Sequence, residues 1–185
     1  MHPPHPTDWI ELRSDGLSAA IDPQGAQLSH LRDAQGRELL WNGDPAHWTG
    51  RAPILFPIVG SLNEGQYRGK QTTYALRRHG FARGRRFEVV SVDRHAVLMR
   101  LRDDEASRAA YPFAFELDVA FRVEGWQLCI EARVGAIDET SPMGRSARTA
   151  SPIIASFGRT MRTSCQRRGR PGSWRRTRPR SGTSG

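Results

Sequence analysis

Between residues 113 and 124 apolar and polar side chains alternate without interruption, and this stretch limits the available folds more than any other. Phe113, Phe115, Leu117, Val119, Phe121 and Val123 share one parity; Ala114, Glu116, Asp118, Ala120, Arg122 and Glu124 share the other. A period of two sends the two sets to opposite faces of an extended chain, so the stretch predicts a long strand buried on one side. Glu124-Gly125 predicts a turn, after which Trp126, Leu128, Ile130, Ala132 and Val134 carry the same alternation into a second strand. Helical patterning is scarce. Only residues 103–110 read as one or two helical turns, ending before Tyr111-Pro112.

The remainder of the body reads as further short strands punctuated by turn residues. Strands are predicted at 9–13, 17–21 and 26–32, separated by Ser14-Asp15-Gly16 and Asp22-Pro23-Gln24-Gly25. The turn Asp33-Ala34-Gln35-Gly36 predicts a hairpin onto residues 38–41. A polar loop, NGDPAHWTG, follows at 42–50. Residues 69–76 predict one more strand, and 87–92 and 96–101 a hairpin across Asp93-Arg94. Many strands joined by tight turns predict an all-β, antiparallel sandwich or barrel.

Charge divides the chain. Up to residue 140 there are 17 Lys and Arg against 19 Asp and Glu, whereas residues 141–185 hold 11 Arg and no acid. That last stretch is dominated by Arg, Ser, Thr, Gly and Pro, which bury too little apolar surface to offset the entropy of ordering. The expected organisation is a disordered start at 1–8, a β-sandwich body at 9–140 and a basic, largely disordered tail at 141–185. The tail admits three readings: a nucleic-acid-binding arm, a solvated tail without a partner, or the product of a lost reading frame. The third is favoured, because the chain has 27 Arg and a single lysine, Lys70. An out-of-frame read of a GC-rich gene gives this vocabulary. The two cysteines, Cys129 and Cys165, cannot form a disulfide framework or a Cys-based zinc site. The apolar run at 52–59 is short and broken by two prolines, so no membrane span is expected. No secretory leader is expected either, and the predicted location is cytoplasmic.

The residues able to carry chemistry cluster at 51–86. RAPILFPIVGSLNEGQY sets two prolines in an apolar run, which excludes an interior strand because proline lacks the ladder donor. It must form an edge or line something. RRHGFARGRRF then surrounds His79 with Arg77, Arg78, Arg83, Arg85 and Arg86. A neutral imidazole both donates and accepts hydrogen bonds, which suits a polyhydroxylated ligand. Taken alone, such a histidine is more often structural and such an arginine cluster a solvated face.

The ordered blocks IDPQGAQLSHLRDAQGRELLWNGDPAHW, APILFPIVGSLNEGQY, RRHGFARGRRFEVV and YPFAFELDVAF together resemble the aldose 1-epimerase family, in its galactose mutarotase-like, lactose-operon-type branch. The pairing of HGFAR with a preceding LFPIVG is the specific part. The resemblance implies a β-supersandwich with a concave face for an aldohexose or hexose phosphate. It implies interconversion of α and β anomers without a metal or nucleotide cofactor. In the family a carboxylate takes the anomeric hydroxyl proton while a histidine protonates the ring oxygen, and the ring opens, rotates and recloses. By motif, His79 is the catalytic candidate, binding substrate and stabilising the transition state, and Arg83 a second substrate-binding residue. In other branches an Arg follows the LFPIVG block, where this chain has Ser61.

The downstream sequence departs from the pattern. The family's proton-donating histidine sits in a G-x-HPAF-like motif, but residues 141–162 read SPMGRSARTASPIIASFGRTMR. No histidine follows His95 and no acid follows Glu139. The expectation is a fold incomplete at its C-terminus and a polypeptide inactive or nearly so. Two alternatives stand beside it: a sugar-binding module without turnover, and a basic-tailed, nucleic-acid-associated β-protein.

Overall fold

A computed structural model describes residues 8–69, 72–136, 146–149 and 153–156. The expected disordered start and most of the 141–185 stretch lie outside the described residues. The elements are almost all antiparallel strands: β1 (Ile10–Arg13), β2 (Leu17–Asp22), β3 (Gln27–Asp33), β4 (Gln66–Gly69), β5 (Thr72–Ala75), β6 (Glu88–Val92), β7 (Ala96–Arg102), β8 (Phe115–Glu124), β9 (Gln127–Ala136), β10 (Ser146–Thr149) and β11 (Ile153–Ser156). One short helix, α1 (Glu105–Ala110), joins β7 to β8. It is capped by Asp104, whose carboxylate accepts the Ser107 amide at 2.7 Å while Ser107 Oγ accepts the Asp104 amide.

The alternating stretch builds the centre of the molecule. β8 pairs with β7 on one side and β9 on the other, within a sheet ordered β10-β9-β8-β7-β6. Phe115, Leu117, Val119, Phe121 and Val123 are all buried, as the parity predicts. They meet Leu12, Leu17, Ile21 and Leu31 from the three-stranded sheet β1-β2-β3, so the core lies between two antiparallel layers. On the opposite face charges pair across the ladder. Arg100 stands opposite Asp118 and donates to both its carboxylate oxygens at 2.6 and 2.8 Å, and Arg102 stands opposite Glu116.

The ends of the hairpin differ from the expectation. Phe113 precedes the strand and is 39% exposed. The turn is Gly125-Trp126 rather than Glu124-Gly125, because Glu124 already pairs with Gln127. Trp126 therefore leaves the ladder and lies across Gly16, where a Cβ would stand 2.7 Å from its ring. The predicted strand at 38–41 is reduced to one bridge, Arg32 to Glu38. A carboxylate explains this: Glu38 Oε1 accepts the Leu31 amide at 2.9 Å, so a side chain replaces the carbonyl that a continuing strand would offer. The strand expected at 69–76 is half of a separate hairpin, β4-β5, stacked through Tyr67 and Tyr74. β10 and β11 both pair with β9, and they fall within the stretch whose composition predicts disorder.

Glu38 is also an electrostatic hub. His30 Nδ1 lies 2.7 Å and Arg32 Nε 3.0 Å from its Oε2. Burial alone would push the Glu38 carboxyl up, but the Leu31 amide, His30 and Arg32 together hold it below its usual value. Burial pushes His30 down despite the carboxylate beside it.

Two outcomes follow from this packing. Phe121→Ala should cost about 3–5 kcal/mol of unfolding free energy, and Phe113→Ala less than about 1 kcal/mol, in urea titrations. The thermal midpoint should fall on acidification. Charging His30 is harder in the folded chain, so stability declines as pH drops below the ordinary value of 6.5. Glu38 adds to the loss below 4.5, as its carboxylate is protonated. Glu38→Gln, which still accepts the Leu31 amide, should flatten the lower part of the fall and deepen the upper part, because it removes the carboxylate that favours charged His30.

Candidate functional site

The two prolines at 53 and 57 shape a segment that is extended but belongs to no sheet. Ala52, Ile54 and Phe56 pack against the core with a period of two. Single bridges tie Ala52 to Leu28 and Phe56 to Gly80, in place of a ladder. Beyond the cis Phe56-Pro57 bond the chain turns through Gly60, at φ +83°.

The HGFAR segment is clamped onto this one. The Phe56 carbonyl accepts the amides of Phe81 at 2.9 Å and Ala82 at 3.2 Å. Phe56, Phe81, Tyr111 and Phe115 form an aromatic cluster above the contact, with ring centroids 5.0–6.5 Å apart. Gly80 is required: its φ is +68°, and a Cβ there would stand 2.1 Å from the Phe56 carbonyl oxygen. A second support lies behind the loop. The Gly25 amide donates to the Arg85 carbonyl at 2.7 Å, and a Gly25 Cβ would meet the Arg83 carbonyl oxygen at the same distance.

His79 occupies the third position of a turn closed by the Gly80 amide on the Arg77 carbonyl, with φ of +67°. A non-glycine residue in that region is strained, and something must hold it there. Gly60 does so twice. Its carbonyl accepts the His79 amide at 2.8 Å, and its amide donates to His79 Nδ1 at 2.9 Å. A ring nitrogen that accepts a hydrogen bond carries no proton, so the imidazole proton sits on Nε2. Among the described residues Nε2 makes no hydrogen bond.

Arg83 lies four residues further along the same motif. It is exposed, and with Arg77 and Arg85 it lines a cleft of about 750 Å³ floored by Leu76, Phe81 and Ala106. Arg85 is neutralised there by a two-pronged contact with Asp104, at 2.7 and 2.9 Å. Arg77 and Arg83 make no ion pair among the described residues. His79 does not line this cleft. The structure thus joins both candidates to one clamped loop without bringing their side chains onto one lined surface. Sequence reasoning missed Gly60 as the residue that orients His79; its place at the end of LFPIVG was the available signal.

The sequence matches the family model described as aldose 1-epimerase over residues 8–150. It is 33% identical over 139 residues to the plasmid-encoded protein LacX of Lactococcus lactis subsp. lactis, covering 72% of this chain and 46% of that protein. The fold is similar to a galactose mutarotase related enzyme from Lactobacillus acidophilus, with TM-score 0.69, 32% identity and coverage of 71% of this chain and 44% of that one. A galactose mutarotase-like protein from Lactobacillus casei gives TM-score 0.69 and 32% identity, covering 71% and 45%. The chain therefore spans somewhat under half the length of these relatives.

Substitution of the clamp glycine provides a check. Gly80→Ala should cost more than about 2 kcal/mol, combining left-handed strain with displacement of the Phe56 carbonyl. Gly36→Ala, also at positive φ but with nothing within 4 Å, should cost only the strain, about 1–2 kcal/mol. Urea unfolding monitored by circular dichroism separates the two.

Proposed function

This chain belongs to the aldose 1-epimerase family, and on that premise we propose that its body holds one side of an aldohexose through the HGFAR loop. The observation that carries the reading is the double hold of Gly60 on His79. It spends backbone strain to fix a neutral imidazole with Nε2–H as its free donor, which is what a sugar oxygen requires. Arg83, which lines with Arg77 a cleft that His79 does not line, is the proposed donor for an outlying group of the ligand, the phosphate of a hexose phosphate, rather than for the oxygen that His79 meets. The compartment that suits this reading is the cytoplasm.

Anomer interconversion needs two proton transfers. A base removes the anomeric hydroxyl proton as an acid protonates the ring oxygen; the C1–O5 bond breaks, the open-chain aldehyde rotates, and the steps reverse. His79 stabilises charge on the oxygen it contacts, while its Nδ1 is occupied by Gly60. The relay must therefore come from other groups. The sequence after His95 offers no histidine and that after Glu139 no acid. The 185-residue polypeptide accordingly binds a hexose and accelerates its mutarotation little or not at all.

Saturation-transfer NMR with D-galactose and D-glucose tests the binding. Transfer to one of them should weaken about tenfold in His79→Asn, the loss of one good hydrogen-bond donor. Asparagine tolerates positive φ, and its Oδ1 can still accept the Gly60 amide, so the loop survives the change. No transfer to either sugar, or equal transfer in the variant, would overturn the reading. Polarimetry on freshly dissolved α-D-glucose and α-D-galactose should follow the spontaneous rate; clear acceleration would refute the inactivity.

A further inference from the structure

The loop at 41–50 carries two indoles that the core does not use. Trp41 is 41% and Trp48 51% exposed, and neither joins the buried cluster. The loop is nevertheless built to hold them. The Asp44 carbonyl accepts the amides of His47 at 3.0 Å and Trp48 at 2.9 Å, and its carboxylate accepts the Ala46 amide at 2.8 Å. Trp41 Nε1 donates to the Trp48 carbonyl at 2.8 Å, which ties the two ends together. Gly50 makes room for the second indole, since a Cβ there would stand 2.5 Å from the Trp48 ring. One side of that ring is thus laid on backbone, and half of the residue stays open to solvent.

A polar foot lies beneath. Arg51 donates to the Asn42 carbonyl at 2.6 Å and stands 5.3 Å from the Trp9 ring centroid. Its Nε is buried and has no hydrogen-bond partner, a donor left waiting at the base of the loop. His47 lies 6.0 Å from Trp41, ring to ring.

We propose that Trp48, flanked by Trp41 and His47, is a stacking platform for a pyranose ring of a neutral oligosaccharide. The C–H bonds on one face of a pyranose meet the electron-rich face of an indole, while its rim of hydroxyls needs donors and acceptors around the ring. His47 and Thr49, both exposed and on either side of Trp48 in the chain, carry donors and acceptors of that kind. Size decides against a protein partner: two half-exposed indoles present on the order of 200 Å², against about 800 Å² per side in a stable protein interface. The platform is separable from the His79 loop. The two lie at opposite ends of the 52–56 segment, whose extended length is about 14 Å.

Titration with cellotetraose, maltotetraose and β-1,4-galactotetraose, followed through the indole N–H resonances, tests the proposal. The Trp48 signal is assigned by its disappearance in Trp48→Phe. At least one of these oligosaccharides should shift the Trp48 and Trp41 signals saturably. Trp48→Ala should weaken the affinity about tenfold or more, whereas Trp126→Phe leaves it unchanged. The wild-type titration stands even if Trp48→Ala misfolds. No shift with any of the three, or an equal shift at Trp126, would overturn the platform. So would Trp48 shifts that follow protein concentration alone, with self-association in sedimentation; the face would then belong to a second copy of the chain.

Discussion

One carbonyl oxygen, that of Phe56, accepts the amides of both Phe81 and Ala82, and the candidate site depends on it. Pro53 before it and Pro57 after it keep this segment out of a ladder, so its backbone groups are available to another loop. Gly80 must then pass within van der Waals reach of that oxygen, which no side chain would allow. Once the two segments are locked, Gly60 comes to face His79 and holds it through both backbone and ring. The strain at His79 is offset by contacts that exist only while the clamp is closed.

How much of this was legible in the sequence depended on whether the signal was local. The β8-β9 hairpin could be read from parity because its apolar set faces one buried layer, and five successive odd positions from Phe115 obey the pattern. Its ends could not be read so closely, since a turn shifted by one residue takes Trp126 out of the ladder without disturbing the alternation. The strand at 38–41 failed for a tertiary reason: Glu38 spends its carboxylate on the Leu31 amide, and propensity does not report such a bond. At the site, HGFAR and LFPIVG were visible as motifs, and the prolines correctly excluded an interior strand. The contact between Gly60 and His79 spans nineteen residues and depends on two positive φ angles, so periodicity carries no trace of it.

The fate of the described carboxylates bears on chemistry as much as on stability. A general base must be within reach of a substrate proton and free to accept it. Asp33 is held by Arg37, Glu38 by His30 and Arg32, Asp103 by Arg108, and Asp104 by Arg85. Glu116 is paired with Arg102, Asp118 with Arg100 and Glu131 with Arg133. All but the exposed Asp104 are largely buried, and each is committed to holding a turn, a helix start or a strand pair. Acids left exposed, such as Glu64 and Asp15, stand in turns open to solvent.

The same logic applies to the imidazoles, and it is the reason the proposed role of the HGFAR loop is to hold a ligand rather than to relay protons. His30 is bound to Glu38, and His95 Nδ1 lies 2.7 Å from the Arg13 carbonyl. His79 has its acceptor nitrogen filled by Gly60. A histidine that relays a proton must lose it on one side and regain it in the same cycle, and its hydrogen bonds must tolerate both states. A backbone N–H aimed at Nδ1 tolerates only one. Fixing that nitrogen makes Nε2–H a directed donor of constant character. On the function proposed above, ring opening by two proton transfers would need an acid and a base set on structure other than this clamp.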